Sequence, residues 1–404
     1  MLLSLILGVP LLAAIAVAIP ISVFVAECLL AAWLPTNKTS TEQLRESAQV
    51  AVLMPAHNEA DTITPVLQGI QQQLRPQDRL LVIADNCTDA TAQVARATGA
   101  QVLERQDTQR RGKGYALDFG LRALSADAPD VVVMMDADCI TTKGSLLTLA
   151  AKAMATGRPI QSRYLFAVPD QKSTKALISA FAITVKNWVR PLGLRQLGLP
   201  SLLFGTGMAF PWSVLTAVDV ASGHIVEDMK LGFDLAIAGS PPLFDPTVQV
   251  MGQLPDSNHA ATSQRTRWEH GHLKVLQDYV PQLLGQSLRL ARLDLLALGL
   301  ELAIPPLTLL VMLWGLTLAL TTVAGLIGWG WLPASIAAAS GGALLVAIAA
   351  AWCRFARKDI PLSTLVSLIG YLLWKIPLYF KFLVKPQSDW VRTERSQVKS
   401  TTQK

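Results

Sequence analysis

Val131-Val132-Val133-Met134-Met135-Asp136-Ala137-Asp138 is a run of five apolar residues followed at once by two carboxylates two positions apart. The apolar run predicts a central strand, covered on both faces of its sheet. Alternation predicts that Asp136 and Asp138 share one side at the strand's carboxyl end, where α/β sheets bind ligands. Two like charges held together repel unless a cation lies between them. Oxygen-only ligation favours Mg²⁺ or Mn²⁺, and Mg²⁺ takes one or two carboxylates plus the phosphates of a substrate. Taken alone, the pair fits a solvated loop after a strand equally well.

The surrounding chain has α/β grammar. Val50 to Met54 reads as a strand ending at Pro55-Ala56-His57-Asn58-Glu59, and a helix follows from Ile63 to Leu74. Leu80 to Ala84 is a second strand, ending at Asp85-Asn86-Cys87-Thr88-Asp89, with a helix running to Thr98. Gln101 to Glu104 is a third, and Arg110-Arg111-Gly112-Lys113-Gly114 leads into a helix from Tyr115 to Leu124. Strands alternating with helices predict a mostly parallel sheet whose polar strand ends share an edge. Further on come a helix over 142–156, a strand over 159–166, and helix and loop over 173–200. A strand-like stretch around a loop covers 203–210. A helix opens at His224-Ile225-Val226-Glu227-Asp228 and ends at Gly239, and a last strand covers 247–252.

Of 404 residues, 51% are hydrophobic and only 16% charged, against roughly 25% charged in ordinary soluble domains. The excess is localised: Leu2 to Ala26 and Leu302 to Cys353 carry no charge. A bilayer crossing needs about 20 apolar residues. The first span, Leu2 to Leu34, lacks the basic start and small-residue cleavage site of a signal peptide. Two more crossings are expected near 295–323 and 334–353, with a turn at Gly328 to Pro333. Residues 360–384 fit either a fourth crossing or a segment lying in the interface. From Thr262 to about Leu293 the pattern is amphipathic and suits a membrane surface. Lys38 and Arg45 after the first span favour a cytoplasmic exit and an external N-terminus, and Arg354, Arg357 and Lys358 place the end of the 334–353 crossing on the cytoplasmic side. A net charge of +6 without an aromatic-interleaved basic patch makes nucleic acid a poor candidate partner. Cys28, Cys87, Cys139 and Cys353 show no C-x-x-C spacing, so neither a disulfide framework nor a zinc site is expected. His270 and His272 lack a nearby acid or cysteine and read as surface histidines.

Four elements occur in a set order: Asp85, Asp136-Ala137-Asp138, Glu227-Asp228 and Gln264-x-x-Arg267-Trp268. In that order they resemble the membrane-integrated family 2 glycosyltransferases of the processive type. That group contains the cellulose, hyaluronan and poly-N-acetylglucosamine synthases, and ceramide glucosyltransferases share several of its motifs. The resemblance covers residues 50 to 270 and implies a GT-A-type nucleotide-sugar-binding domain beside transmembrane helices. By resemblance, Asp85 contacts the nucleotide base, with Pro55, Ala56 and Glu59 lining the same pocket. Asp138 is the principal ligand of Mg²⁺ or Mn²⁺, with Asp136 beside it. Asp228 is the general base, adjacent to Glu227. Trp268 stacks on the terminal sugar of the acceptor while Gln264 and Arg267 hold polar groups, and Gly205 and Thr206 border the acceptor and diphosphate. From the residues themselves, the glycines around Lys113 let backbone N–H groups approach a diphosphate while the lysine neutralises it. Each element also has a plain structural reading: a turn at Asp85, a solvated loop at 110–114, acids complementing a helix dipole at 227–228, an interfacial anchor at 267–268. Their joint order favours function.

The implied organisation is a transmembrane helix over 1–36, a cytoplasmic glycosyltransferase domain over 48–260 and amphipathic interface helices over 261–293. Transmembrane or interfacial helices follow over 294–384, then a basic cytoplasmic tail over 385–404. The implied activity is inverting, metal-dependent transfer from a UDP-sugar to a polysaccharide or lipid acceptor at a bacterial-type inner membrane, among membrane lipids. Two departures stand out. Val226 precedes the acidic pair where threonine is usual, and three or four crossings are fewer than a self-contained polymer channel needs. An exported polymer would therefore call for an export partner or self-association. Trp390-Val391-Arg392-Thr393-Glu394-Arg395 stands where cellulose synthases carry a loop that folds back to the diphosphate, and departs from that loop's pattern. The alternative readings are a non-catalytic membrane subunit or transporter that keeps the nucleotide-sugar fold, and a soluble-type nucleotidyltransferase. The second would need neither Gln264-x-x-Arg267-Trp268 nor anchors.

Overall fold

The computed structural model describes residues 2–34, 48–167, 173–253 and 258–384. They fall into two compact units, one drawn from 37–169 and 200–271, the other from 1–36, 170–199 and 272–386. Lys38, Arg45 and the 385–404 tail with Trp390 to Arg395 lie outside the described residues.

The first unit carries strands β1 (Val50–Ala56), β2 (Arg79–Asp85), β3 (Gln101–Arg105), β4 (Val131–Met134), β5 (Ile140–Thr141), β6 (Ile160–Ala167), β7 (Met208–Pro211) and β8 (Leu243–Gln253). They form one sheet in the order β3-β2-β1-β4-β7-β6-β8-β5. β3, β2, β1 and β4 run parallel, β7 is antiparallel to both its neighbours, and β6 pairs in parallel with β8. The parallel half follows from the chain: a helix joins each of its strands to the next in sequence, and parallel neighbours require such crossovers. In the helix Ile63–Gln71 the buried residues are Ile63, Val66, Leu67 and Ile70, the spacing of a single apolar stripe. β1 and β4 are enclosed on both faces, with Leu53, Val132 and Met134 fully buried. Gly120 sets how closely the helix Lys113–Leu124 lies on the sheet, because a Cβ there would stand 2.4 Å from Leu53 Cδ1 and 3.1 Å from Ile83 Cδ1.

Register places the functional loops. Pro55 pairs with Ile83, Ala56 with Ala84, and Leu53 with Met134. The loops after β1, β2 and β4 therefore open on one edge, as the polar strand ends predict. The reason Asp136 and Asp138 lie together differs from the expected one. β4 stops at Met134, and both acids sit in the turn that follows, where the Cys139 N–H donates to the Asp136 carbonyl (3.3 Å). A turn brings the carboxylates together, where the sequence pointed to the pleat. Similarly, 203–210 is mostly loop, with regular strand only from Met208.

In the second unit, Gly8–Trp33, Leu307–Leu326 and Leu332–Ala356 are long and apolar enough to cross a membrane. The crossing expected near 295–323 is two helices, Leu293–Leu302 and Leu307–Leu326. Pro305 and Pro306 separate them, because neither has an N–H to donate and proline disfavours helix in the residue before it. Residues 360–384 form the helices Leu362–Val366 and Leu368–Val384. Glu27 and Glu301 flank Arg190, with Nε 2.9 Å from Glu27 Oε2 and Nη2 2.8 Å from Glu301 Oε2, all three buried. Breaking one partner of such a group strands a buried charge.

The long helix Asn258–Leu290 corrects the reading of its histidines: His270 and His272 are 1% and 4% exposed, so neither is a surface residue. His272 Nε2 lies 3.2 Å from the Ile304 carbonyl. A carbonyl only accepts, so that nitrogen carries the hydrogen. Burial, followed by the charges of Lys186 and Arg190, pushes the His272 pKa down to about 3 and keeps the ring neutral. A neutral imidazole with a hydrogen-bond partner can be buried.

Two glycine substitutions test this packing. Gly120→Val should cost about 1–3 kcal/mol by overpacking against Leu53 and Ile83. Gly69→Ala, where an added Cβ meets nothing within 4 Å, should gain up to about 1 kcal/mol from helix propensity. Thermal unfolding in detergent would show opposite shifts, and shifts of the same sign would refute the close helix–sheet approach.

Candidate active site

The edge above β1 and β2 is knitted by short polar side chains. Thr88 N–H donates to Asn58 Oδ1 (2.7 Å), and Asn58 Nδ2 donates to Thr88 Oγ1 (3.0 Å). Glu59 N–H donates to Thr91 Oγ1 (2.7 Å), and Thr62 Oγ1 donates to Glu59 Oε2 (2.8 Å). Asn58 and Asn86 adopt positive φ, 55° and 50°, a conformation asparagine tolerates better than most residues. Pro55, Ala56, Glu59 and Asp85 are thus brought to one edge, as the resemblance implies. Asp85 is 8% exposed, and its Oδ1 accepts from Arg105 Nη1 at 2.6 Å.

A second cluster forms where the β4 turn meets the loop before β7 and the start of the helix Glu227–Ile237. Lys113 Nζ donates to Asp136 Oδ1 and, at 2.6 Å, to the Gly205 carbonyl, and lies 4.0 Å from Glu227 Oε1. The Asp136 N–H donates to Thr206 Oγ1 (3.0 Å), and Thr206 is fully buried. Gly205 has φ +91°, and a Cβ there would lie 3.2 Å from Asp228 Oδ2, so a glycine lets the loop pass beside this carboxylate. Gly205 and Thr206 accordingly contact the Lys113–Asp136 pair directly. Gln161 fixes the same loop, accepting from Phe204 N–H (2.8 Å) and donating to the Thr206 carbonyl (3.0 Å).

Electrostatics divide the acids. Burial, and then the adjacent Asp228 charge, push the Glu227 carboxyl up to about 7, while Lys113 pulls it the other way. Burial works against the Lys113 charge, but Asp136, Glu227 and Asp228 outweigh it and hold its pKa above the usual lysine range. One oxygen of Asp136, one of Asp138 and the Cys139 Sγ all lie within 4.8 Å of one another. Burial, followed by the Asp138 and Asp136 charges, raises the Cys139 pKa well above that of a free thiol, so the sulfur stays protonated. The donor set that remains is two carboxylates. It fits a hard divalent ion such as Mg²⁺ or Mn²⁺ whose shell is completed by phosphate and water.

On the long helix Asn258–Leu290, Gln264 is buried and Trp268 half-buried. Trp268 packs on Phe166 (ring centroids 5.6 Å apart), Phe166 on Tyr164 (4.8 Å), and Tyr164 Oη lies 3.9 Å from Cys139 Sγ. A chain of contacts therefore joins Trp268 to the residue next to Asp138. Arg105, Gln161, Tyr164 and Phe166 are the site residues that sequence reading missed. The period-two spacing of Tyr164 and Phe166 in β6 was the available signal for the aromatic pair.

The sheet has the GT-A fold, with a row of carboxylates at the edge where its parallel strands end. Residues 48–271, more than half the chain, match the model of the "Glycosyltransferase like family 2", and the chain belongs to that family. It is 25% identical over 254 residues to the "Probable glycosyltransferase YdaM" of Bacillus subtilis (60% of this chain, 59% of that one). It is 22% identical over 260 residues to the poly-beta-1,6-N-acetyl-D-glucosamine synthase of Staphylococcus aureus (60% and 59%). The match to glucosyl-3-phosphoglycerate synthase of Mycobacterium tuberculosis is 32% over 126 residues (30% and 38%). The chain thus spans less than two thirds of each relative. Among solved structures, mannosyltransferase PcManGT from Pyrobaculum calidifontis, in complex with GDP-Man and Mn²⁺, superposes with a TM-score of 0.54. At 20% identity, covering 93% of this chain and all of that one, it shares the fold.

The raised Glu227 carboxyl makes a stability prediction. Well below its ordinary value of 4.5 the group is neutral folded and unfolded; between there and about 7 only the unfolded state ionises. Stability therefore falls as pH rises through that window, by roughly 1.4 kcal/mol for each pH unit crossed. Glu227→Gln should raise the melting temperature of the nucleotide-free protein clearly at pH 8 and much less at pH 5. Equal effects at both pH values would refute the assignment.

Proposed function

We propose that this glycosyltransferase transfers sugar from a UDP-sugar, with inversion and divalent-metal dependence, to a growing polysaccharide or a membrane lipid. The observation that carries this is the convergence of Asp136, Lys113, Gly205, Glu227 and Asp228, residues far apart in sequence, on one cluster. Pro55, Ala56, Glu59 and Asp85 hold the nucleoside. Lys113, with Gly205 and Thr206, lies on the diphosphate side, and Asp138 with Asp136 holds Mg²⁺ or Mn²⁺. The bound ion would neutralise the departing diphosphate, which then needs no protonation.

Asp228 acts as the general base. It takes the acceptor hydroxyl proton as the oxygen attacks the anomeric carbon, and the old bond's electron pair leaves with UDP. Glu227, raised to about 7, holds its proton more tightly than an ordinary carboxyl and leaves its neighbour as the carboxylate that accepts this proton. Gln264, Arg267 and Trp268 hold the acceptor end, where the apolar C–H face of a pyranose suits an indole ring. The polymer-synthase relative, and the three helices able to cross a membrane, support an acceptor that stays at the membrane. The domain lies on the cytoplasmic side of a bacterial-type inner membrane, where the basic residues after the spans belong. A polymeric product would leave through an export partner or through self-association.

Asp228→Asn should lower UDP release by at least about a hundredfold, the range expected for loss of a general base, while thermal unfolding stays cooperative. Asp138→Ala should abolish stimulation by Mn²⁺ or Mg²⁺. Both are read by UDP release from a panel of radiolabelled UDP-sugars, with products sized. Normal turnover by Asp228→Asn would remove the assigned base.

A further inference from the structure

Arg105 ends β3, an edge strand whose other residues are exposed or half-buried, yet Arg105 itself is only 8% exposed. A charged side chain is rarely buried without a partner. Its guanidinium has three partners from two different places. Nη1 donates to Asp85 Oδ1 (2.6 Å), while Nη2 donates to the Arg110 carbonyl (2.7 Å) and to Asp107 Oδ2 (3.1 Å). Register puts Arg105 directly opposite Asp85 on the neighbouring strand. Asp107 Oδ1 in turn accepts from the Gln109 N–H (3.0 Å) and the Arg110 N–H (2.8 Å), fixing the start of the Arg110–Gly114 loop. Asn86 closes the circuit, donating from Nδ2 to Asp85 Oδ1 (3.0 Å) and accepting the Asp107 N–H on Oδ1 (2.8 Å).

We infer that Arg105 is a positioning residue that locks the base-side carboxylate, Asp85, to the diphosphate-side loop, so that a nucleoside diphosphate is read as one unit. The inference rests on the proposed role of Asp85 in holding the base. Arg105 and Asn86 both converge on Oδ1, which fixes the plane of the carboxylate and leaves Oδ2 to accept the imide N–H that a uracil offers. The same guanidinium holds the first residue of the loop whose Lys113 lies on the diphosphate side. A planar fork with five donors can satisfy a carboxylate and a carbonyl at once, whereas a lysine is a single point charge.

The test uses full-length protein in detergent with Mn²⁺, titrated calorimetrically with UMP and with UDP. Arg105→Gln should weaken UMP about tenfold, as expected for a charge-assisted hydrogen bond, and should also shrink the ratio by which UDP exceeds UMP. Arg105→Lys should recover most UMP affinity without restoring that ratio. Adding Arg105→Gln to Asp85→Asn should cost UMP no more than Asp85→Asn alone. An equal loss for UMP and UDP in Arg105→Gln would overturn the coupling. A lowered melting temperature with unchanged affinities for both would reduce Arg105 to a brace and overturn it too. If Asp85→Asn leaves UMP affinity intact, the base-side role of Asp85 fails first, and that failure is distinct.

Discussion

Lys113 stands among like charges. Asp136, Asp138, Glu227 and Asp228 come from two distant segments, and gathering them would be strongly unfavourable without a cation between. Nζ bonds Asp136 and the Gly205 carbonyl and approaches Glu227, so one ammonium group ties the β4 turn, the loop before β7 and the helix that opens at Glu227. The protein relieves part of the remaining repulsion by raising Glu227 to about 7, so that one acid of the pair is only partly ionised near neutral pH. The rest of the sheet serves this arrangement. The buried strands β1, β2 and β4 hold their ends level, and any charge among them stands at a strand end.

Much of this was legible in the sequence because it is periodic or punctuated. The apolar run at 131–135, the strand-ending polar clusters and the glycine before Lys113 each act locally, and the chain follows them. The edge on which the parallel strands end was therefore readable, and so were the polar clusters that end them. Less readable was anything decided by a partner far along the chain. Asp136 and Asp138 meet because a turn closes on the Asp136 carbonyl, a detail that strand alternation mimics. His270 and His272 looked like surface residues because polarity predicts exposure, but burial of a neutral imidazole needs only a hydrogen-bond partner such as the Ile304 carbonyl. Arg105 carried no local signal at all, since its meaning lies on the neighbouring strand.

The apolar unit shows the same division. Its charge-free stretch predicted helices that cross a bilayer, yet its buried ionic cluster lies outside that stretch. Glu27 lies in the first span, Arg190 follows a π-helical turn over Val185–Val189, and Glu301 precedes the Pro305-Pro306 break. Two carboxylates sharing one guanidinium in an apolar setting are held by geometry more than by net attraction. Such a cluster fixes three helices against one another with directional bonds, which nonspecific apolar packing does not supply. A transporter needs polar groups within its spans to meet its cargo, and 302–353 has no charged residue to offer. The cluster does not fill that role, because its charges already bond one another.

The placing of Trp268 depends on a different interaction. A half-buried indole could turn freely on its helix, but Trp268 rests on Phe166, which rests on Tyr164, whose hydroxyl reaches Cys139 beside Asp138. Tyr164 and Phe166 are two apart on β6 and so share a face. Gly252 on β8 leaves room for both, since a Cβ there would lie 2.8 Å from Tyr164 Oη and 3.0 Å from Phe166. The ring proposed to stack on the acceptor sugar is thereby referenced to the turn proposed to hold the metal, through rigid aromatic groups with few torsions. In the inverting transfer proposed above, the attacking oxygen and the leaving diphosphate lie on opposite sides of one carbon. The tolerance in their separation is small, and misplacement by about 1 Å can cost a hundredfold in rate. A rigid chain between the two sides meets that requirement where a flexible contact would not.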